Sequence, residues 1–215
     1  MVAETRSTTL TLPALDAPTA ALVLLAAHIA GSDESVVRTA FVEAAVSVPQ
    51  PWIEELVVQS YLFSGFPRAL NAAREWRKIS PAPAPSRDES DDVSSVDEWR
   101  MRGEVTCSAV YGPMYERLRA NIRDLHPALD SAMVVEGYGK ILSRPGLDLP
   151  RRELCIVAAC AVTGQDRQLH SHLHGALNVG VAPSTLRATI DALETVLGAD
   201  RARSIHLLLS RVLGK

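Results

Sequence analysis

Two stretches of this chain are apolar on every side of a helix, which leaves neither a face to give to water. They are residues 20–30, AALVLLAAHIA, and residues 154–162, LCIVAACAV. Each reads as a buried core helix packed among others. The first is about half the length of a membrane-spanning segment, which needs ~20 apolar residues. No segment alternates with period two, so strands are not indicated and the reading is all-α.

The second stretch is headed by a carboxylate, Glu153, and the next predicted helix carries His170, His172 and His174. An acid in an apolar helix is costly unless a partner neutralises it or accepts its proton. A histidine is the usual partner near neutral pH. Chemistry is therefore expected between Arg144 and Gly180.

With 215 residues, 47% of them hydrophobic, the chain can bury a substantial core. A formal charge of -3 with 22% charged residues gives no basic footprint for nucleic acid or for an anionic membrane, so neither is expected as a partner. Cys107, Cys155 and Cys160 are odd in number and widely spread, and two of them lie in the apolar helix. That usage fits reduced thiols in the cytoplasm. The opening MVAETRSTTLTLPALDAP has no basic cluster followed by an apolar run, and so does not resemble a secretory signal.

Helices are predicted at 19–30 and 36–46, joined at Gly31, and then from Pro51, where Ile53, Leu56, Val57, Ser60 and Tyr61 share a face. Gly65 and Pro67 break that helix, and another runs to about Lys78 with Leu70 and Ala73 inward. Residues 80–98, rich in Pro, Ser and acids, read as a solvated linker. Beyond it, Tyr111, Tyr115, Leu118, Ile122 and Leu125 form one apolar stripe, ended at His126-Pro127. Helices follow at 128–142, 150–163, 166–179 and 183–213, the last divided near Gly198. An apolar helix, a Gly-containing turn and an amphipathic helix recur at 20–47 and 152–179. The chain thus divides into units 1–79 and 100–215 around a linker at 80–99.

The residues SRPGLDLPRREL and QLHSHLHGALNVGV resemble the carboxymuconolactone decarboxylase family, whose fold is that of the alkylhydroperoxidase D group. IEELVVQSYLFSGFPRALNA, at 53–72, resembles the segment that follows the histidine helix in that family, yet here it precedes it. The N-terminal unit has Ala21 where the family's Glu would stand. The resemblance implies an alkylhydroperoxidase D-like helical bundle of two related, diverged units, one of which could complete the other's pocket.

For the site, the resemblance implies Glu153 and His172 as the catalytic pair. Arg144, Arg152, His170 and Glu55 are expected to bind substrate, although Arg152 also reads as a solvated first-turn residue. A peroxidase of the alkylhydroperoxidase type needs a Cys-x-x-Cys pair, and Gln165 and Gln168 occupy those positions. Cys155 and Cys160, about 140° apart on a helix, do not replace it. Residues two apart on a helix diverge by about 200°, so only His170 and His174 share a face and no metal site is expected. The expectation is a cofactor-free decarboxylase or proton-transfer enzyme acting on a small organic acid or lactone, assembled as a homo-oligomer. The alternative is a non-enzymatic relative with a structural or small-molecule-binding role.

Overall fold

The computed structural model describes Leu12 and residues 14–214, apart from the side chain of Val93. The absence of a secretory signal was read largely from residues 1–11, which lie outside that range. The helices are α1 (Ala17–Gly31), α2 (Glu34–Ala44), α3 (Gln50–Ser64), α4 (Phe66–Ile79), α5 (Val96–Tyr111) and α6 (Tyr115–Leu125). There follow α7 (Pro127–Ala132), α8 (Leu149–Val162), α9 (Asp166–Asn178), α10 (Pro183–Leu197) and α11 (Ala199–Val212). Among the described residues there is no strand, only a bridge in which Leu12 exchanges backbone hydrogen bonds with Gly180 and Ala182. None of these helices is long and apolar enough to cross a membrane.

The apolar helices α1 and α8 pack against each other at the centre, and α1 is also covered by α2, α3 and α10. Both begin alike. Asp16 accepts from the Thr19 amide and Asp148 from the Arg151 amide, each with a proline inside the first turn. Arg151 then joins the two starts, donating to Thr19 Oγ1 at 2.9 Å and to Asp16 Oδ2 at 3.0 Å. At the other end Gly31 meets Val162, where a Cβ would lie 2.0 Å from Cγ1. The two core helices therefore run parallel.

A second likeness links α3 to α10: each ends at a glycine with positive φ, Gly65 at 80° and Gly198 at 77°, and each glycine opens the next helix. Only glycine holds that backbone without strain.

Three local expectations are corrected. Leu70 is 51% exposed, and the inward face of α4 is Ala69, Ala72 and Trp76. Trp76 sets the register because it stacks on Phe41 with centroids 5.6 Å apart. The stripe from Tyr111 to Leu125 is not one helix. Gly112, with φ of 52°, ends α5, and a 3₁₀ turn through Pro113 redirects the chain. The resulting α6 buries none of its residues, and Leu125 is 77% exposed. After α7 the helix continues in a π register from Met133 to Leu142. There the backbones nearly touch: a Cβ on Gly139 would fall 1.9 Å from Trp99 O, and one on Gly103 would fall 2.0 Å from Val134 O.

The segment between α4 and α5 holds two 3₁₀ turns, Glu89–Asp91 and Val93–Ser95. It is tied down at Asp88, which accepts from both terminal nitrogens of Arg144 at 2.9 and 2.8 Å.

Candidate functional site

The cap at Asp148 starts α8 so that Glu153 faces α9 from its second turn. The carboxylate is 0% exposed, and its Oε2 lies 2.8 Å from Nδ1 of His172, itself 4% exposed. An ionised carboxylate only accepts, so in the neutral imidazole this bond sets the tautomer with the hydrogen on Nδ1 and Nε2 as the acceptor. Nε2 makes no hydrogen bond among the described residues. Glu153 Oε1 is buried with no partner among them.

Room for this contact comes from a glycine. Gly175 sits on α9 one turn beyond His172, and a Cβ there would lie 2.7 Å from both Glu153 Oε2 and Val110 Cγ1. Mid-helix glycine costs about 1 kcal/mol relative to alanine, and here it allows the buried carboxylate to approach.

His172 opens on a cleft of about 370 Å³, within the size range of small-molecule sites. Phe63 presents an edge to the imidazole, with centroids 5.4 Å apart and ring planes at 88°. Tyr111 stands 6.3 Å from it, and Tyr138 packs against Tyr111 at 5.9 Å. Burial holds both phenols well above their ordinary range. Tyr61, Leu62 and Phe63 all come from the end of α3, so the N-terminal part of the chain walls a cleft whose histidine lies near its C-terminal end. The cleft reaches His172 but not the sealed Glu153. The acid can act only through the imidazole.

The expected substrate-binding charges are placed elsewhere. Arg152 is neither solvated nor available: it is 0% exposed. Its guanidinium donates to Leu147 O, Gln59 Oε1, Glu55 Oε2 and Arg144 O at 3.0, 2.9, 2.7 and 3.0 Å. Arg144 donates from Nε to the same Glu55 carboxylate at 2.9 Å while its other nitrogens hold Asp88. Glu55 is thus shared between two arginines, and Gly146 makes room, since a Cβ there would lie 2.6 Å from Glu55 Cγ. None of Glu55, Arg144 and Arg152 lines the cleft at His172. These residues bind one another because a buried charge needs a close counter-charge and full hydrogen bonding.

His170 and His174 share the opposite, exposed face of α9, with rings 4.9 Å apart. They border a second cleft of about 430 Å³, which meets the first at Tyr111 and is otherwise lined mainly by Val110, Pro113, Met114 and Leu118. Among the described residues no three His, Cys, Asp or Glu side chains converge to hold a metal ion. Gln165 and Gln168 are exposed at the start of α9. Cys107, Cys155 and Cys160 are free and buried, and burial pushes each thiol up to about 12.

Residues 131–209 match the model of the carboxymuconolactone decarboxylase family. Peroxisomal protein 2 of Schizosaccharomyces pombe is 30% identical over 131 residues, which is 60% of this chain and 61% of that protein. The chain thus spans about three-fifths of the length of that curated relative.

Proposed function

Taking residues 131–209 as a carboxymuconolactone decarboxylase family domain, we propose that the chain is a cofactor-independent proton-transfer enzyme acting on a small organic acid or lactone. One observation carries this reading: His172, its Nδ1 held 2.8 Å from Glu153, turns its other nitrogen toward an aromatic-walled cleft. Nε2 takes a proton from the substrate or returns one to carbon. Glu153 is a positioning residue that fixes the tautomer and stabilises the imidazolium when it forms, as a carboxylate does for any such histidine. In a decarboxylation Nε2 first takes the proton of the substrate's carboxylic acid; the carbon–carbon bond then breaks, carbon dioxide leaves, and the electron pair left on carbon accepts that proton back from Nε2.

The test uses the full chain with a panel of lactones and lactone acids, following carbon dioxide release and incorporation of solvent deuterium into carbon. His172→Gln is expected to lower turnover at least a hundredfold. Glu153→Gln is expected to lower it less and to shift the pH profile. Undiminished turnover by folded His172→Gln would sink the assignment. A non-enzymatic binding role is favoured by one feature, the complete burial of Glu153. Its signature is tight binding without exchange or turnover.

The same proposal includes two related units, 1–79 and 100–215, supported by the matching starts of α1 and α8 and the matching glycine ends of α3 and α10. It includes a homo-oligomer, supported by the exposed Met114, Leu125 and Leu129 around α6, which mass measurement in solution tests. Three free thiols support a reducing compartment such as the cytoplasm.

A further inference from the structure

Two buried side-chain atoms around His172 have no hydrogen-bond partner among the described residues, Glu153 Oε1 and Tyr138 Oη. A buried polar group left unpaired costs stability, so each one calls for an explanation. For Glu153 the explanation is at hand, since its other oxygen holds His172. The Tyr138 hydroxyl serves no such contact. It belongs to the inner of two phenols: Tyr138 is 4% exposed and packs edge-on to the half-buried Tyr111, with ring planes at 71°. Both line the cleft at His172, and the Tyr111 ring stands 6.3 Å from the imidazole, centroid to centroid. Burial keeps both phenols protonated at neutral pH. After burial, the strongest influence on Tyr111 is the Tyr138 hydroxyl, which stabilises negative charge on the Tyr111 oxygen.

The backbone holds both phenols in place without a ligand. Tyr111 is the last residue of α5, and the Asn178 side chain, at the end of α9, donates to Val110 O at 2.8 Å. The end of α5 is thereby tied to the helix that carries His172. Tyr138 lies in the π stretch, next to Gly139, whose close approach to Trp99 O sets that stretch against α5. Donors fixed in advance need no reorganisation when charge develops in front of them. A cofactor-independent decarboxylation develops such charge, because the electron pair released with carbon dioxide must spread onto an oxygen of the substrate itself. That oxygen is a carbonyl conjugated to the carbon that loses carbon dioxide, and a phenol kept protonated can donate to it without giving up its proton.

We infer that Tyr111 donates a hydrogen bond to the substrate carbonyl oxygen on which this charge collects, and that Tyr138 is a positioning residue whose hydroxyl donates in turn to the Tyr111 oxygen. The substrates are then acids whose departing carboxyl group is conjugated to a lactone or ketone carbonyl. Neither phenol forms a covalent bond: the electron pair spreads onto the carbonyl oxygen, returns to carbon, and takes up there the proton held on His172 Nε2. This deepens the proposed function and rests on its reading of His172 as the group that moves the proton.

The test uses two small lactones on the full chain: tetronate, whose ring carries its charge as an enolate near pH 7.5, and 2(5H)-furanone, an uncharged ring of the same size. Dissociation constants are measured with the His172 imidazole resonance reporting that each probe occupies this cleft. Tetronate is expected to bind more tightly than the furanone. A hydrogen bond to a charged oxygen is stronger than one to a neutral carbonyl, so Tyr111→Phe is expected to weaken tetronate about tenfold and the furanone less than about threefold. Tyr138→Phe is expected to weaken tetronate about threefold and, because it removes an unpaired hydroxyl, to leave the melting temperature no lower. A packing role would instead weaken both probes alike. Tetronate that binds the unmodified chain no more tightly than the furanone, or equally well after Tyr111→Phe, overturns the inference. Tetronate affinity unchanged by Tyr138→Phe overturns the positioning role. Each of these leaves the proton-transfer reading in place. That reading fails separately, when turnover survives His172→Gln while the probes still respond to Tyr111→Phe as expected.

Discussion

Gly175 and Glu153 occupy one another's space: the carboxylate Oε2 sits where a side chain on residue 175 would begin, 2.7 Å from an added Cβ. The helix gives up about 1 kcal/mol of propensity at this position, and the acid gains its approach to His172. Gly175→Ala should therefore destabilise the chain despite its better helix propensity, by a net ~1–2 kcal/mol once overpacking is counted. Urea denaturation measures it. A stabilised variant would show that the carboxylate can move aside freely.

Glu153 and His172 should behave as a unit under mutation. His172→Leu alone leaves a buried carboxylate without its partner, a change that costs about 3–5 kcal/mol. The double variant Glu153→Leu/His172→Leu removes the charge as well and should recover most of that loss. Additive losses in a denaturation cycle would mean the pair contributes no coupling.

The fold should weaken in acid through Asp130. Arg119 and then Arg123, hydrogen-bonded to this carboxylate, hold it at about 2, against an ordinary 3.8. The unfolded chain therefore takes up the proton first as pH falls. The stabilisation is fully present above about pH 5 and is lost progressively toward pH 2. Melting temperature recorded from pH 6 to pH 2 should fall across this window, and less steeply in Asp130→Asn.

No thiol should react in the native state. Cys107, Cys155 and Cys160 are buried and held near 12 by that burial, so the thiolate fraction and the access are both minimal. A disulfide exchange reagent should count no thiols before unfolding and three afterwards.

The parts of this architecture that were legible in the sequence are those decided locally. The breaks at Gly65 and Gly198 and the all-apolar α1 and α8 each follow from a few adjacent residues, whereas α1 begins at Ala17 under Asp16 and not at residue 19, where its apolar run suggests. That Glu153 needs a partner was legible because an acid in an apolar helix is costly alone, and the family resemblance singled out His172 among the three histidines of the next helix. Arg152 misled, since an arginine in a first turn is usually solvated and its partner Glu55 lies 97 residues away. The stripe through α6 misled in another way. Helical spacing defines an apolar face but not how fully the chain covers it, and α6 is no more than half-buried, at Tyr115, Leu118, Arg119 and Ile122. The aromatic wall of the cleft, Phe63 with Tyr111 and Tyr138, unites three separate segments, and no spacing rule connects them. Only Gly175, mid-helix where glycine is costly, offered a sign that something large comes close.

The parallel pairing of α1 and α8 bears on how much the connection between them matters. Each is apolar around its whole circumference, so a polypeptide ending near residue 80 and another starting near 88 would each expose a helix that water cannot accommodate. Cleavage of the intervening segment should leave the two pieces bound to one another, with Arg151 still joining the helix starts and Asp88 still seated on Arg144. Joined in this way, the two halves share a single core, so neither should fold without the other.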